Sequence, residues 1–127
     1  MFNSQQYLDG LAETVAFFSA EFAESTSEVL WVAHVATDLR RLRITSYGGV
    51  DFEIMPFREI ISDVLEIGSS GIILAHNHLS GDPTPSATDI SATSRLCVIS
   101  SEMHFTVLDH LVFAGNKWSS MRQLGII

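Results

Sequence analysis

An α/β fold, a mixed sheet flanked by helices in one domain, is what this sequence predicts, and three observations predict it. Segments of helical period alternate with short β-branched and apolar segments in the order α-β-β-β-α-β-α-β. The 127 residues suffice for one domain that buries roughly two-thirds of its unfolded surface without disulfides. A hydrophobic content of 46% beside 17% charged residues fits a packed globule and excludes a disordered chain.

From Ser4 to about Ala23, Leu8, Leu11, Val15, Phe18 and Phe22 recur at helical spacing, weakened only by Gly10. This amphipathic helix sets residues 1–24 apart from an α/β unit over 25–127, within one globule. Its apolar stripe could pack on its own domain, on a partner, or on a second copy as a homodimer. Ser25 to Ser27 break the helix, and EVLWVAHVA (28–36) reads as a strand, followed by a turn over 37–39. RLRITSY (41–47) alternates as a half-exposed strand does, Gly48-Gly49 turn the chain, and VDFEIM (50–55) reads as a third strand. Pro56 stands at a helix start, Ile60, Ile61, Val64, Leu65 and Ile67 carry the helical period, and Gly68 closes it. GIILAHNH (71–78) is a buried central strand running into polar residues, and LSGDPTP is loop. SATDISATSRLCVISS (86–101) reads as a helix with Ile90, Thr93, Leu96, Cys97 and Ser100 on one face. HFTVLDHLVFAG (104–115) reads as one strand or a pair, and residues 119–124 as a helical turn.

The same residues exclude several function classes. MFNSQQYLDG has neither the basic nor the apolar region of a secretory signal, and no run reaches the ~20 apolar residues that span a bilayer. A lone cysteine, Cys97, forms no internal disulfide, so the expected location is a reducing cytoplasm. The net charge is −8, and Arg40, Arg41 and Arg43 are the only close basic cluster, better read as a solvated strand end. Direct DNA binding by this domain is therefore disfavoured, because phosphate recognition needs a basic patch.

The chemistry is concentrated in HNHLSGDPTPSATD (76–89). His76 and His78 lie two apart at a strand end, so their side chains leave on one side. Ser86 opens a helix, and Asp89 in its first turn can face back toward the two imidazoles. Two neutral imidazoles and a carboxylate form a zinc set with the fourth tetrahedral position open, as in catalytic sites. Gly81, Pro83 and Pro85 stiffen the loop between the ligand-bearing elements. Each half has an ordinary reading: Ser86-x-x-Asp89 as a helix-capping box, His-x-His as strand-end polar residues. Together, at a spacing expected by chance in about one such sequence per thousand, they favour ligation, with which capping is compatible.

This block resembles the JAMM (JAB/MPN+) metalloprotease motif, a remote Glu followed by His-x-His-x7-Ser-x2-Asp. More narrowly it is similar to the bacterial RadC-like JAB domain, whose HNH-x-SGDP-x-PS-x-x-D is followed here by Thr93 and by LDHLVF (108–113). The resemblance covers about residues 25–127. It implies a cytidine-deaminase-like three-layer α/β/α sandwich and one zinc ion per chain, held by His76, His78, Asp89 and water. It also implies that Glu28, one of eight glutamates, is the general acid/base and that Ser86 stabilises the oxyanion. Asp109 and His110 match the family's Asp-His, either as support for a ligand imidazole or as a buried polar pair tying elements together. The pattern is broken at Leu79, where the family usually has Pro, and at Pro56-Phe57-Arg58-Glu59, shifted by a residue from the usual Pro-Arg-Glu. Longer members carry an upstream helical region of DNA-binding type that these residues do not include.

The implied activity is hydrolysis of a peptide or isopeptide amide by zinc-activated water. The alternative is a non-catalytic or DNA-repair-associated binding module that keeps the fold. A nucleobase deaminase on the related fold is disfavoured as a third reading, since it needs H-x-E and P-C-x-x-C and one cysteine cannot supply that. His34 reads as a partly buried strand histidine, His104 as a loop or strand-start residue, Cys97 as a small core residue, and Trp31 and Trp118 as packing.

Overall fold

A computed structural model describes residues 6–48 and 55–127. Among these residues the order is α1 (Leu11–Phe22), β1 (Val29–Val35), β2 (Arg41–Gly48), α2 (Phe57–Ile67), β3 (Gly71–Asn77), α3 (Ala87–Met103), β4 (Thr106–Ala114) and β5 (Lys117–Ser120). The strands form one mixed sheet in the order β2-β1-β3-β4-β5. Only the β3–β4 pair is parallel, joined by α3 as a crossover helix.

Strand periodicity divides the core into two layers. Leu30, Val32, Ile72 and Leu74 point to one face, where Ile60 and Val64 of α2 and Ala92 and Leu96 of α3 meet them. Ala33, Val35, Ile73, Ala75, Leu111 and Phe113 point to the other, where α1 seats the fully buried Phe18. This is the expected three-layer α/β/α sandwich. Every residue of β3 is buried, which its unbroken apolar run required. The apolar stripe of α1 packs on its own sheet, with the Phe22 and Phe18 rings 5.1 and 6.5 Å from Phe113. No helix of the described residues is long and apolar enough to cross a membrane.

Four expectations need correction or limit. The first helix starts at Leu11, not Ser4, because Gln6 to Leu8 pair with the β1–β2 turn (Arg41 N–H to Gln6 C=O 2.7 Å, Leu8 N–H to Leu39 C=O 3.0 Å). Leu65 is 61% exposed, since α2 turns Ile60 and Val64, with Phe57 beside them, toward the core. Residues 106–114 form one strand, and its hairpin partner is Lys117–Ser120 after a Gly115-Asn116 turn in which Gly115 takes φ 61°. The expected strand over 50–55 lies, Met55 excepted, outside the described residues. Gly68 closes α2 in the left-handed conformation (φ 77°).

Candidate metal centre

The site stands where β3 and β4 end, the edge at which open α/β sheets commonly hold ligands. His76 is the penultimate residue of β3 and shares the face of Leu74 and α3. His78 follows the strand, anchored by donation of its backbone N–H to Phe113 C=O at 2.7 Å. Asp89 is set by the capping box of α3. Ser86 Oγ accepts the Asp89 N–H at 3.0 Å, and Asp89 Oδ2 accepts the Ser86 N–H at 2.9 Å. The same Oδ2 lies 3.1 Å from His78 Nε2 and 3.4 Å from His76 Nε2, and the two Nε2 atoms are 2.9 Å apart. Three donors about 2.0–2.1 Å from a common tetrahedral centre would be separated by roughly 3.3 Å, so the trio fits one small ion.

Hydrogen bonding fixes the tautomers that make this a donor set. Thr93 Oγ–H donates to Asp89 C=O at 2.8 Å, so its contact with His110 Nδ1 at 2.7 Å makes the imidazole N–H the donor there. Burial first, and then the neighbouring His76, push the His110 pKa well below the ordinary histidine value and keep the ring neutral. His110 Nε2 is then an acceptor and takes the Nδ1–H of His76 at 2.7 Å. His78 likewise donates its Nδ1–H to Asp82 C=O at 2.9 Å. Both rings turn Nε2 lone pairs toward the Asp89 carboxylate, an arrangement that repels itself unless a positive centre lies among the three. Burial opposes ionisation of Asp89, yet its carboxyl is held well below the usual carboxylate range, with the Ser86 N–H on Oδ2 among the contacts that favour the charged form.

Glu28 arrives by strand register. Leu30 pairs with His76 in the antiparallel β1–β3 ladder, so two residues further along Glu28 comes level with His78. Its Oε2 accepts the Leu79 N–H at 3.3 Å, a bond that proline at this position could not make. The break in pattern at Leu79 therefore supplies a donor to the acid beside the site. Asn77, which sequence reasoning passed over, pins this edge. Its side chain accepts the Val29 N–H at 2.8 Å and donates to Ser27 C=O at 3.1 Å. The loop is tied down by Ser119 Oγ–H, which donates to Pro83 C=O at 2.6 Å, and Gly81 takes φ 89°.

The Asp109-His110 pair is divided by the pleat. His110 turns to His76, while Asp109 turns to the opposite face, where Oδ2 accepts Ser120 Oγ–H at 2.6 Å and Oδ1 accepts the Arg122 N–H at 3.1 Å. His34 is fully buried, 2.7 Å from Ser69 Oγ and 3.0 Å from Thr45 Oγ1, remote from the three donors. His104 caps α3 with φ 60°, and Cys97 packs against the α2–α3 core.

A family profile described as the RadC-like JAB domain matches residues 8–126. The chain belongs to this family. The RadC-like match takes in all three layers of the sandwich and the whole His76–Asp89 block. Curated relatives include a UPF0758 protein of Clostridium perfringens, 38% identical over 80 residues, which are 63% of this chain and 35% of that protein. A UPF0758 protein of Desulfitobacterium hafniense is 38% identical over 82 residues (65% of this chain, 36% of that one). One of Carboxydothermus hydrogenoformans is 39% identical over 79 residues (62% and 35%). The chain thus spans about a third of the length of the curated relatives it matches. These names carry no activity. What this RadC-like domain has at the level of chemistry is a His76-His78-Asp89 group that could hold a metal ion.

Proposed function

We propose that this RadC-like domain is a zinc-dependent hydrolase of the JAMM metallopeptidase or isopeptidase type, cleaving an amide bond. The observation that carries the reading is the convergence of two Nε2 donors and one carboxylate oxygen, 2.9 to 3.4 Å apart, with both tautomers set by bonds at Nδ1. Zinc, when bound there, polarises an amide carbonyl and acidifies water. Glu28 takes the proton of the attacking water and delivers it to the departing amine, while the Leu79 N–H on Oε2 holds the carboxylate toward His78. Ser86 spends its oxygen as an acceptor on the Asp89 N–H, which leaves its hydroxyl proton to donate to the developing oxyanion. A reducing cytoplasm suits a chain whose only thiol is Cys97.

The test begins with the metal content of untagged protein. One zinc per chain in the wild type, lost in His78→Ala and in Asp89→Ala, is expected. Glu28→Gln should then retain zinc and lose turnover of amide and isopeptide substrates. Wild-type protein that takes up no zinc would overturn the proposal in favour of a binding module that keeps the fold, and a fully active Glu28→Gln would remove Glu28 from the chemistry.

A further inference from the structure

A cleft of 640 Å³ opens beside His78, walled by the C-terminal end of α1 and by the β4–β5 hairpin. Its volume lies within the range of small-ligand sites, roughly 300–1,000 Å³. Phe113 and Trp118 are register partners across the hairpin and so share the α1 face, and the Phe22 ring lies 5.1 Å from Phe113. Leu79, 58% exposed, and Trp118, 37% exposed, hold apolar surface in water at its rim. Among the described residues no Asp, Glu, Lys or Arg lines it, although the chain carries 15 acidic and 7 basic residues.

We infer that this cleft is the specificity subsite, and that it takes an uncharged apolar side chain of a peptide whose scissile amide lies at His78. The inference rests on the amide-hydrolase reading for the role of the bound segment. His78, which alone of the candidate site residues lines the cleft, supplies the place, and Phe22, Leu79, Phe113 and Trp118 supply the selectivity. An apolar side chain releases water from Phe22, Leu79 and Trp118. An ionised one would meet the hydrogen-bonding groups of Ser19, Ser25, Asn77 and Asn116 but no charged side chain among the described lining residues, and so gains less there than an apolar one. Phe22 and Trp118 are thus specificity-determining residues, and α1 forms part of the substrate site as well as covering the sheet.

The experiment uses the ¹⁵N-labelled full chain and three capped probes, acetyl-Ala-Phe-Ala-amide, acetyl-Ala-Asp-Ala-amide and acetyl-Ala-Lys-Ala-amide. The Phe probe should shift the Trp118 indole N–H and the Phe22 and Asn116 amides, and bind at least about tenfold more tightly than either charged probe. The buried Trp31 indole should stay still. Trp118→Ala, at the exposed rim, and Phe22→Ser should abolish the preference, whereas Leu65→Ser, which removes an exposed apolar side chain of α2, should leave it intact. Shifts confined to other surfaces, equal binding of all three probes, or no saturation by about 10 mM would overturn the assignment. None of these readouts needs turnover. Discriminating binding without hydrolysis would count against the hydrolase reading alone, and hydrolysis without discrimination against the cleft alone.

Discussion

His110 on β4 accepts the Nδ1–H of His76 on β3 at 2.7 Å, so one buried histidine decides which nitrogen of another faces the candidate metal centre. The consequence is measurable as affinity. His110→Phe should weaken zinc binding by about 10–100-fold, the usual cost of losing such a partner. Thr93→Val, which removes the acceptor of His110 Nδ1–H, should act in the same direction and less strongly. Competition against a chromogenic zinc chelator reads both, and unchanged affinity in His110→Phe would show that the ring of His76 is oriented by packing alone.

Leu79→Pro should leave zinc affinity unchanged and lower turnover several-fold, because it deletes the N–H that Leu79 donates to Glu28 Oε2. A parallel loss of metal would instead mean that the substitution distorts the loop around His78.

Ser86 has two separable duties. Ser86→Ala should cost about 1 kcal/mol of stability in urea denaturation through loss of the α3 cap. It should also lower kcat by about 10²–10³ if the hydroxyl meets the oxyanion. A stability loss with turnover intact would leave Ser86 as a cap only.

His34 makes stability depend on pH. Burial first, offset by the Asp63 charge and reinforced by Arg43, lowers its pKa from 6.5 to about 4. The folded protein therefore binds fewer protons than the unfolded chain between these values. Its contribution is complete above pH 6.5 and is lost as pH falls toward 4, by up to about 3 kcal/mol. Denaturation of wild type and His34→Gln across this window checks it, and equal slopes in the two proteins would contradict it.

Phe18 joins α1 to the sheet. Phe18→Ala should destabilise the domain by about 3–5 kcal/mol in a single cooperative transition, as a fully buried ring should. Two transitions, or a loss under about 1 kcal/mol, would mark α1 as an independent appendage.

What the sequence by itself determined is what local physics encodes. The unbroken apolar run of β3, the capping residues of α3, Gly68 at the end of α2 and the period of α1 from Leu11 onward are each readable within one turn or one strand. The donor trio was legible for the same reason: His76, His78 and Asp89 lie in one strand–loop–helix unit of 14 residues, so their spacing carries most of their geometry. The start of the first helix was missed because residues 6–8 are claimed by pairing with the β1–β2 turn, a contact no local preference records. Strand β5 did leave a signal, the Gly115-Asn116 dipeptide of a two-residue hairpin.

Only the tertiary structure decided which distant groups serve the site. Asp109 and His110 are neighbours in the chain, but successive side chains of a strand point to opposite faces, so only His110 reaches His76. Glu28 stands beside His78 because β1 and β3 pair antiparallel in one register, and Phe22 meets Trp118 across a cleft because α1 packs over β4. Register and layer packing come from long-range burial of apolar faces, and that is set by the whole chain rather than by any segment of it.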